Sequence, residues 1–481
     1  MKKLITTLVL SIALSASAET SLEITRGQRD TVFSPNHTIV AVTAPGNTAK
    51  INGEAVHVYK TGAFGGTVKL RPGDNSITVA VSDGNTTKKK TINVYLKDAP
   101  TEKKAPAAET AFVEFNMPRY FITADWAYLQ YGDGGDRLGG SKMGYLNNGI
   151  TVKAVGEKGN LYKIALSQNR YAYMPKDCLK ETNTTTQPVN TGSWSISNRG
   201  DKDRISISLP CRLPYRSWAQ LDPTTICIEL FGAMNNSNWI TQRGNLGMIE
   251  YVDCQQPESD VLKVVIKLKD KYSWGYSVNY DGNNLVIDVN HTPGLALKDL
   301  TIGLDAGHGG KYPGAKSATG LTEKEVNLDM ILRIAKILES KGAKVVLSRD
   351  GDTGPSMTER KQIFLDNDVD LMISLHNNSG GSPLTTMGTS TFYKHISNRE
   401  LAACMLNRLL ELGLKNFGLT GNFNFSLNSP TEYPNVLLEV LFMSSLPEEE
   451  LLADPDFRQQ VAEKAVLGLE DYLTKVKQSL Q

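Results

Sequence analysis

Apolar and polar side chains alternate along most of the first 293 residues. The runs "HTIVAVTA", "GTVKL", "NSITVAVSD" and "KKTINVYL", punctuated by the turns "PGDN" and "SDGN", predict short strands over 19–96. "WAYLQYGDGG", "GITVKAVGEKGNLYKIAL" and "RYAYMPKDCL" predict a second strand-rich stretch over 112–180. Ile205/Ile207/Leu209, Ile226/Ile228/Leu230, Leu262/Val264/Ile266/Leu268 and Leu285/Ile287/Val289 alternate strictly and predict an antiparallel sandwich over 193–293.

The period changes near residue 298. "DLTIGLDAG", "AKVVLSR", "DLMISLH", "GTSTFYK" and "NVLLEVLF" read as strands. Helices are expected between and after them, each with a start signal. Thr322/Glu325, Ser356/Glu359 and Ser397/Glu400 have capping-box spacing, and Asp454 with Pro455 opens the last helix. Met330, Ile331, Ile334 and Leu338 form an apolar stripe that Gly342 stops. Strands alternating with helices predict an α/β unit over 297–478 with a mostly parallel sheet flanked by helices. The fold class is therefore multidomain: three small all-β modules, then one α/β domain.

Two stretches lack any apolar period. Residues 97–111, rich in Pro, Ala, Lys and Glu, and 181–192, rich in Thr, Asn and Pro, are expected to be connectors. Residues 1–18 are expected to be a signal peptide: two lysines, an apolar run to Leu14, and Ala16-Ser17-Ala18 as cleavage site. That implies export, to the periplasm or, with a single membrane, to the cell wall. No later segment reads as a membrane span.

The 481 residues carry 52 basic and 51 acidic side chains, a net charge of +1, so no global field favours nucleic acid. Five cysteines at wide spacing form no metal pattern, and a disulfide among Cys211, Cys227 and Cys254 stays open.

Ligands of parallel sheets sit beyond the carboxyl ends of the strands. Of six histidines, His308 and His376 fall at such strand ends. Glu323 opens the first helix, where the neighbouring Glu325 has the capping work and leaves Glu323 free to face the rim. His308, Glu323 and His376 make the two-histidine, one-carboxylate set of a catalytic zinc ion, which activates a water at its remaining position. Glu439 sits inside "VLLEVLF", where apolar neighbours should raise its pKa toward that of a general base. Arg349, Arg360 and Asn378 are candidates for binding substrate, each with a structural alternative: an ion pair for the arginines, a turn for Asn378. The glycines of "GLDAGHGG" are not a phosphate loop, because no Lys-Ser/Thr follows and no helix opens directly.

"LDAGHGG", "GLTEKEVNL", "VVLSRDGD", "ERKQIFLDN", "DLMISLHNN" and "VLLEVLFMSS" together resemble the zinc-dependent N-acetylmuramoyl-L-alanine amidases of the division-amidase type. The resemblance spans about 297–478. It implies zinc at His308, Glu323 and His376, the catalytic role for Glu439, and cleavage of the amide between N-acetylmuramic acid and L-alanine in peptidoglycan. Ala306 and Ser445 stand where the family often has Pro and Asn. The "HNNSGGSPLTTMGTSTFY" stretch leaves no room for the site-blocking helix of some division amidases, and Phe423, Phe425 and Tyr433 mark 421–434 as a candidate rim loop for sugar or peptide. Residues 112–180 resemble bacterial SH3-like domains, 19–96 an immunoglobulin-like sandwich, and 193–293 the targeting domain of some cell-wall amidases. The partners implied are peptidoglycan and, through the β modules, cell-wall or division proteins. The alternative is a non-catalytic wall-binding protein with an amidase-like domain.

Overall fold

The computed structural model describes residues 20–98, 111–136, 138–222, 224–237 and 240–481. The expected signal peptide and most of the first connector lie outside the described residues.

Residues 23–96 form a three-stranded and a five-stranded sheet packed over Ile39, Phe64, Ile77 and Val79. Residues 113–182 form one antiparallel seven-stranded sheet. Residues 194–290 form a five-stranded and a four-stranded sheet. This last pair departs from the antiparallel expectation, since Trp194–Asn198 pairs in parallel with Ile240–Arg243. The stretch expected as a connector at 181–192 is zipped at both ends. Leu179–Thr182 pairs with Val113–Thr123, and Val189–Asn190 with Ala233–Met234. One apolar cluster accordingly runs from Phe121, Ile164 and Met174 into Trp194, Ile226 and Ile266.

The C-terminal unit alternates strands and helices: β1 (Thr301–Ala306), α1 (Glu323–Ser340), β2 (Lys344–Leu347), α2 (Met357–Asp366), β3 (Leu371–Asn378), β4 (Thr389–Phe392), α3 (Arg399–Leu410), β5 (Asn416–Thr420), β6 (Asn435–Phe442), α4 (Leu446–Ala453) and α5 (Pro455–Ser479). The sheet order is β2-β1-β3-β6-β4-β5. The sheet is mostly parallel, as expected, but mixed: four of its five strand pairs are parallel, and β4 runs antiparallel to β6. A parallel step needs a long crossover, and residues 379–388 supply only a loop without a helix between β3 and β4. The helical crossover α3 restores a parallel pair between β4 and β5.

The capping boxes at Thr322/Glu325 and Ser356/Glu359 form, and Asp454 caps α5. The one expected at Ser397/Glu400 does not. A 3-10 turn over Ile396–Asn398 moves the start of α3 to Asn398, past Ser397. Helices α1, α3 and α5 cover one face of the sheet, and α2 covers the other through Phe364 and Met372. The β-rich part docks on this unit at two places. Trp274 stacks on Tyr472 of α5 at 6.0 Å, and Val40 and Ala63 pack on Leu446 of α4. All five cysteines are free thiols. Among the described residues, no helix is long and apolar enough to cross a membrane.

Candidate metal centre

Strands β1, β3 and β6 lie side by side and parallel, so their carboxyl ends share one rim. His308 follows β1 by two residues, His376 lies near the end of β3, and the strand register pairs His376 with Glu439 of β6. Glu323 reaches the same rim as the first residue of α1. The loop before it folds back, and the Glu323 amide donates to the Ala315 carbonyl at 2.9 Å.

The Glu323 carboxylate sits between the two imidazoles. Its Oε2 is 3.0 Å from His308 Nε2 and its Oε1 is 3.1 Å from His376 Nδ1. One donor atom from each residue lies within 4.8 Å of the other two. Ligand atoms around a tetrahedral zinc at about 2.0–2.2 Å stand roughly 3.3 Å apart, so this set fits the ion. The carboxylate is also in the charge state a ligand needs. Burial alone would raise the pKa of Glu323, but hydrogen bonds from His308 and His376 outweigh it and hold the group well below the usual carboxylate range. Burial likewise disfavours a charged His376. The bond to Glu323 and the nearby Glu439 carboxylate more than offset this and raise its pKa.

Three features fix the geometry. The backbone amides of Ala315 and Asn377 donate to Glu323 at 2.8 and 3.1 Å. Asn327, one turn further along α1, donates to Glu323 Oε1 and the Gly307 carbonyl while accepting from Asn377 at 2.8 Å. His308 itself adopts φ 63°, a left-handed conformation uncommon outside glycine and often kept at functional sites. The glycines beside it leave room rather than bind anything. A Cβ on Gly314 would lie 2.5 Å from Glu323 Oε2, and one on Gly307 2.3 Å from the His376 ring.

Both candidate arginines turn inward, away from any substrate. Arg360 is 1% exposed and donates to Asp305 Oδ1 at 2.6 Å, to the Ala306 carbonyl at 2.8 Å and to the His308 carbonyl. Arg349, 4% exposed, donates to the carbonyls of Ala306, Gly307, Gly351 and Lys324. The two guanidiniums brace the backbone that carries His308. Asn378 stands at the rim and accepts the Ser379 amide at 2.8 Å in a local turn. The aromatic loop also packs inward. Phe423 and Phe425 pack edge-on against Phe392, Tyr433 is 3% exposed, and Asn424 ties the loop to Gly140.

Several residues that shape the site had only faint sequence signals. Asn327 is four residues after Glu323, on the same helix face. Asp305 is fully buried and accepts from Ser348 and Ser374, each at 2.7 Å; Ser374 is its register partner on β3. Glu448 and Glu449 of α4 hold two rim loops, Glu448 through the amides of Met387 and Gly388, Glu449 through those of Ala318 and Thr319. Nothing in the period of "LPEEELLA" announces this.

Residues 302–471 match the family described as N-acetylmuramoyl-L-alanine amidase. The chain is 30% identical over 181 residues to the uncharacterized protein YqiI of Bacillus subtilis (strain 168), covering 37% of this chain and 86% of that protein. It is 27% identical to a putative N-acetylmuramoyl-L-alanine amidase of Buchnera aphidicola, covering 37% of this chain and 96% of that one. Among solved structures, the catalytic domain of CwlV, an N-acetylmuramoyl-L-alanine amidase of Bacillus (Paenibacillus) polymyxa, is similar at 33% identity and a TM-score of 0.35, covering 36% of this chain and 98% of that domain.

Proposed function

The chain belongs to the N-acetylmuramoyl-L-alanine amidases through residues 302–471, and we propose that its peptidoglycan hydrolysis uses one zinc ion held by His308, Glu323 and His376, with Glu439 as the proton-transferring carboxylate. The bond cut joins N-acetylmuramic acid to the L-alanine of the stem peptide. The observation that carries the reading is the convergence of three donor atoms within 4.8 Å, beside a strand pair that sets Glu439 against His376.

When bound, zinc polarises the scissile carbonyl and makes a water nucleophilic at neutral pH. The chain's own residues do the rest. Glu323, kept ionised by its two imidazole partners, holds both histidines at fixed orientation. Glu439 Oε takes the proton of the attacking water and returns it to the leaving amide nitrogen. Asn327 and Asn377 keep the Glu323 carboxylate aimed at the rim, and Arg349 and Arg360 keep the His308 loop in place. In this reading the arginines are positioning residues, and Asn378 remains the rim group nearest to a substrate-binding role.

The rest of the chain fits an exported wall enzyme. Residues 1–18 act as signal peptide and direct the protein to the periplasm or cell wall. An immunoglobulin-like module at 19–96, an SH3-like module at 112–180 and a targeting-like module at 193–293 contact wall polymer or division proteins, and 297–478 is the catalytic domain. The test is metal analysis combined with digestion of purified murein. About one zinc per chain with release of free stem peptides supports the proposal. Metal-free or inert protein contradicts it and favours the non-catalytic wall-binding reading.

A further inference from the structure

A cavity of about 730 Å³ opens where the 113–182 sheet, the 194–290 sheets and the C-terminal unit meet. It lies away from the catalytic rim. Lys394 and His395 follow β4, which runs antiparallel to β6, so they sit at the end of the sheet where β6 begins. Glu432, which also lines the cavity, precedes β6, whereas Glu439 lies well along it. The volume is in the range of small-ligand sites.

Lys361 of α2 is the unusual group in its wall. It is 2% exposed, and among the described residues its ammonium has no hydrogen bond or ion pair. Its neighbours are two aromatic faces, Trp126 at 4.1 Å and Tyr145 at 4.0 Å to the ring centroids. An ammonium has three donors to satisfy, and two ring faces satisfy none of them fully. Lys394 adds a second ammonium, which donates to the Lys142 carbonyl at 3.1 Å. Burial, with repulsion from Lys142 and Lys394 and against the pull of Glu432, lowers the pKa of Lys361 to about 7; burial and repulsion from Lys142 lower that of Lys394 to about 8. An anion entering the cavity would relieve both effects. Trp126 is held at φ 60°, so strain is kept at the wall that faces Lys361. Glu432 supplies one carboxylate, which accepts the neighbouring Thr431 amide at 2.8 Å.

We propose that this cavity binds a short peptide bearing both a free carboxylate and a free amine, the carboxylate against Lys361 and Lys394 and the amine against Glu432. A phosphate dianion suits it less well, because Glu432 opposes a second negative charge while the aromatic walls match a peptide's apolar stem. The inference goes beyond the hydrolase reading and does not depend on it.

Calorimetric titration of the full chain with the tripeptide L-Ala-L-Ala-L-Ala, whose termini are its one amine and one carboxylate, tests this. Binding is expected in the wild type and in Glu439→Gln. It is expected to weaken at least about tenfold in Lys361→Met, in Lys394→Met and in Glu432→Gln, and equally for the N-acetylated, C-amidated tripeptide. Lys361→Met should melt no lower than the wild type, whereas a purely structural lysine would lower it. Undiminished binding to Lys361→Met, undiminished binding of the blocked peptide, tighter binding of inorganic phosphate, loss of binding in Glu439→Gln, or no heat in the millimolar range would each overturn the proposal. Murein hydrolysis measured on the same samples reports on the catalytic rim separately.

Discussion

Glu323 Oε1 stands 3.1 Å from His376 Nδ1, so the first residue of a helix and the end of a strand 53 positions later meet in one contact. The same carboxylate reaches His308 through its other oxygen. Glu323 and its neighbour Glu325 therefore have separate work. Glu323→Gln should remove zinc from the purified protein and abolish hydrolysis. Thr322→Ala, which breaks only the capping box with Glu325, should lower stability by about 1 kcal/mol and leave zinc content unchanged. Metal analysis and thermal melts on the two variants check this division.

Gly314 tests the packing of the centre. It sits at φ 69°, and a methyl there would fall 2.5 Å from Glu323 Oε2 and 2.6 Å from the His308 ring. Gly314→Ala is expected to reduce zinc affinity by at least about tenfold, because the carboxylate must shift to admit the methyl. Competition with a chromogenic zinc chelator measures it. Gly320, whose Cβ would meet nothing within 4 Å, is the control for backbone strain alone.

Arg360 and Asp305 form an ion pair in which both side chains are almost wholly enclosed. Removing one partner leaves a buried charge, so Arg360→Met should destabilise the catalytic unit by about 3–5 kcal/mol. Asp305→Asn in the same chain should recover part of that loss. A substrate-binding arginine would instead raise KM with little change in melting temperature.

The charge state of Lys361 makes stability depend on pH. The unfolded chain keeps this proton to about pH 10.4, while the folded chain releases it near 7. Stability therefore rises as pH climbs from about 7 to 10 and is lost as pH falls back through 7, by up to about 4 kcal/mol. Glu432 works against the shift, and Lys142 and Lys394 work with it. Lys394 titrates in an overlapping range, so the readout is the difference between wild type and Lys361→Met. Denaturant unfolding at several pH values should show the slope shrinking in the variant.

Much of this was legible in the chain. Two strand-end histidines, a helix-start glutamate and an acid inside "VLLEVLF" marked the rim, because strand ends and helix starts are local properties that short patterns encode. The inward turn of Arg349 and Arg360 was not legible. Their partners are mostly backbone carbonyls, such as Ala306 and Lys324, that carry no side-chain signature. The antiparallel β4 was missed for a related reason, since strand direction follows from connection length and sheet order rather than from the residues of the strand. The buried Lys361 lay hidden because its cavity needs three distant parts of the chain at once.

Glu439 carries the central claim, that this carboxylate moves the proton while three other residues hold the metal. The direct measurement is mass spectrometry of murein digested by wild type and by Glu439→Gln, with zinc determined on both proteins. The account predicts that the variant keeps about one zinc per chain and releases almost no free stem peptide, a loss of at least about a hundredfold. Wild-type release of stem peptide by the zinc-loaded variant would contradict it, and loss of zinc from the variant would make Glu439 a ligand instead.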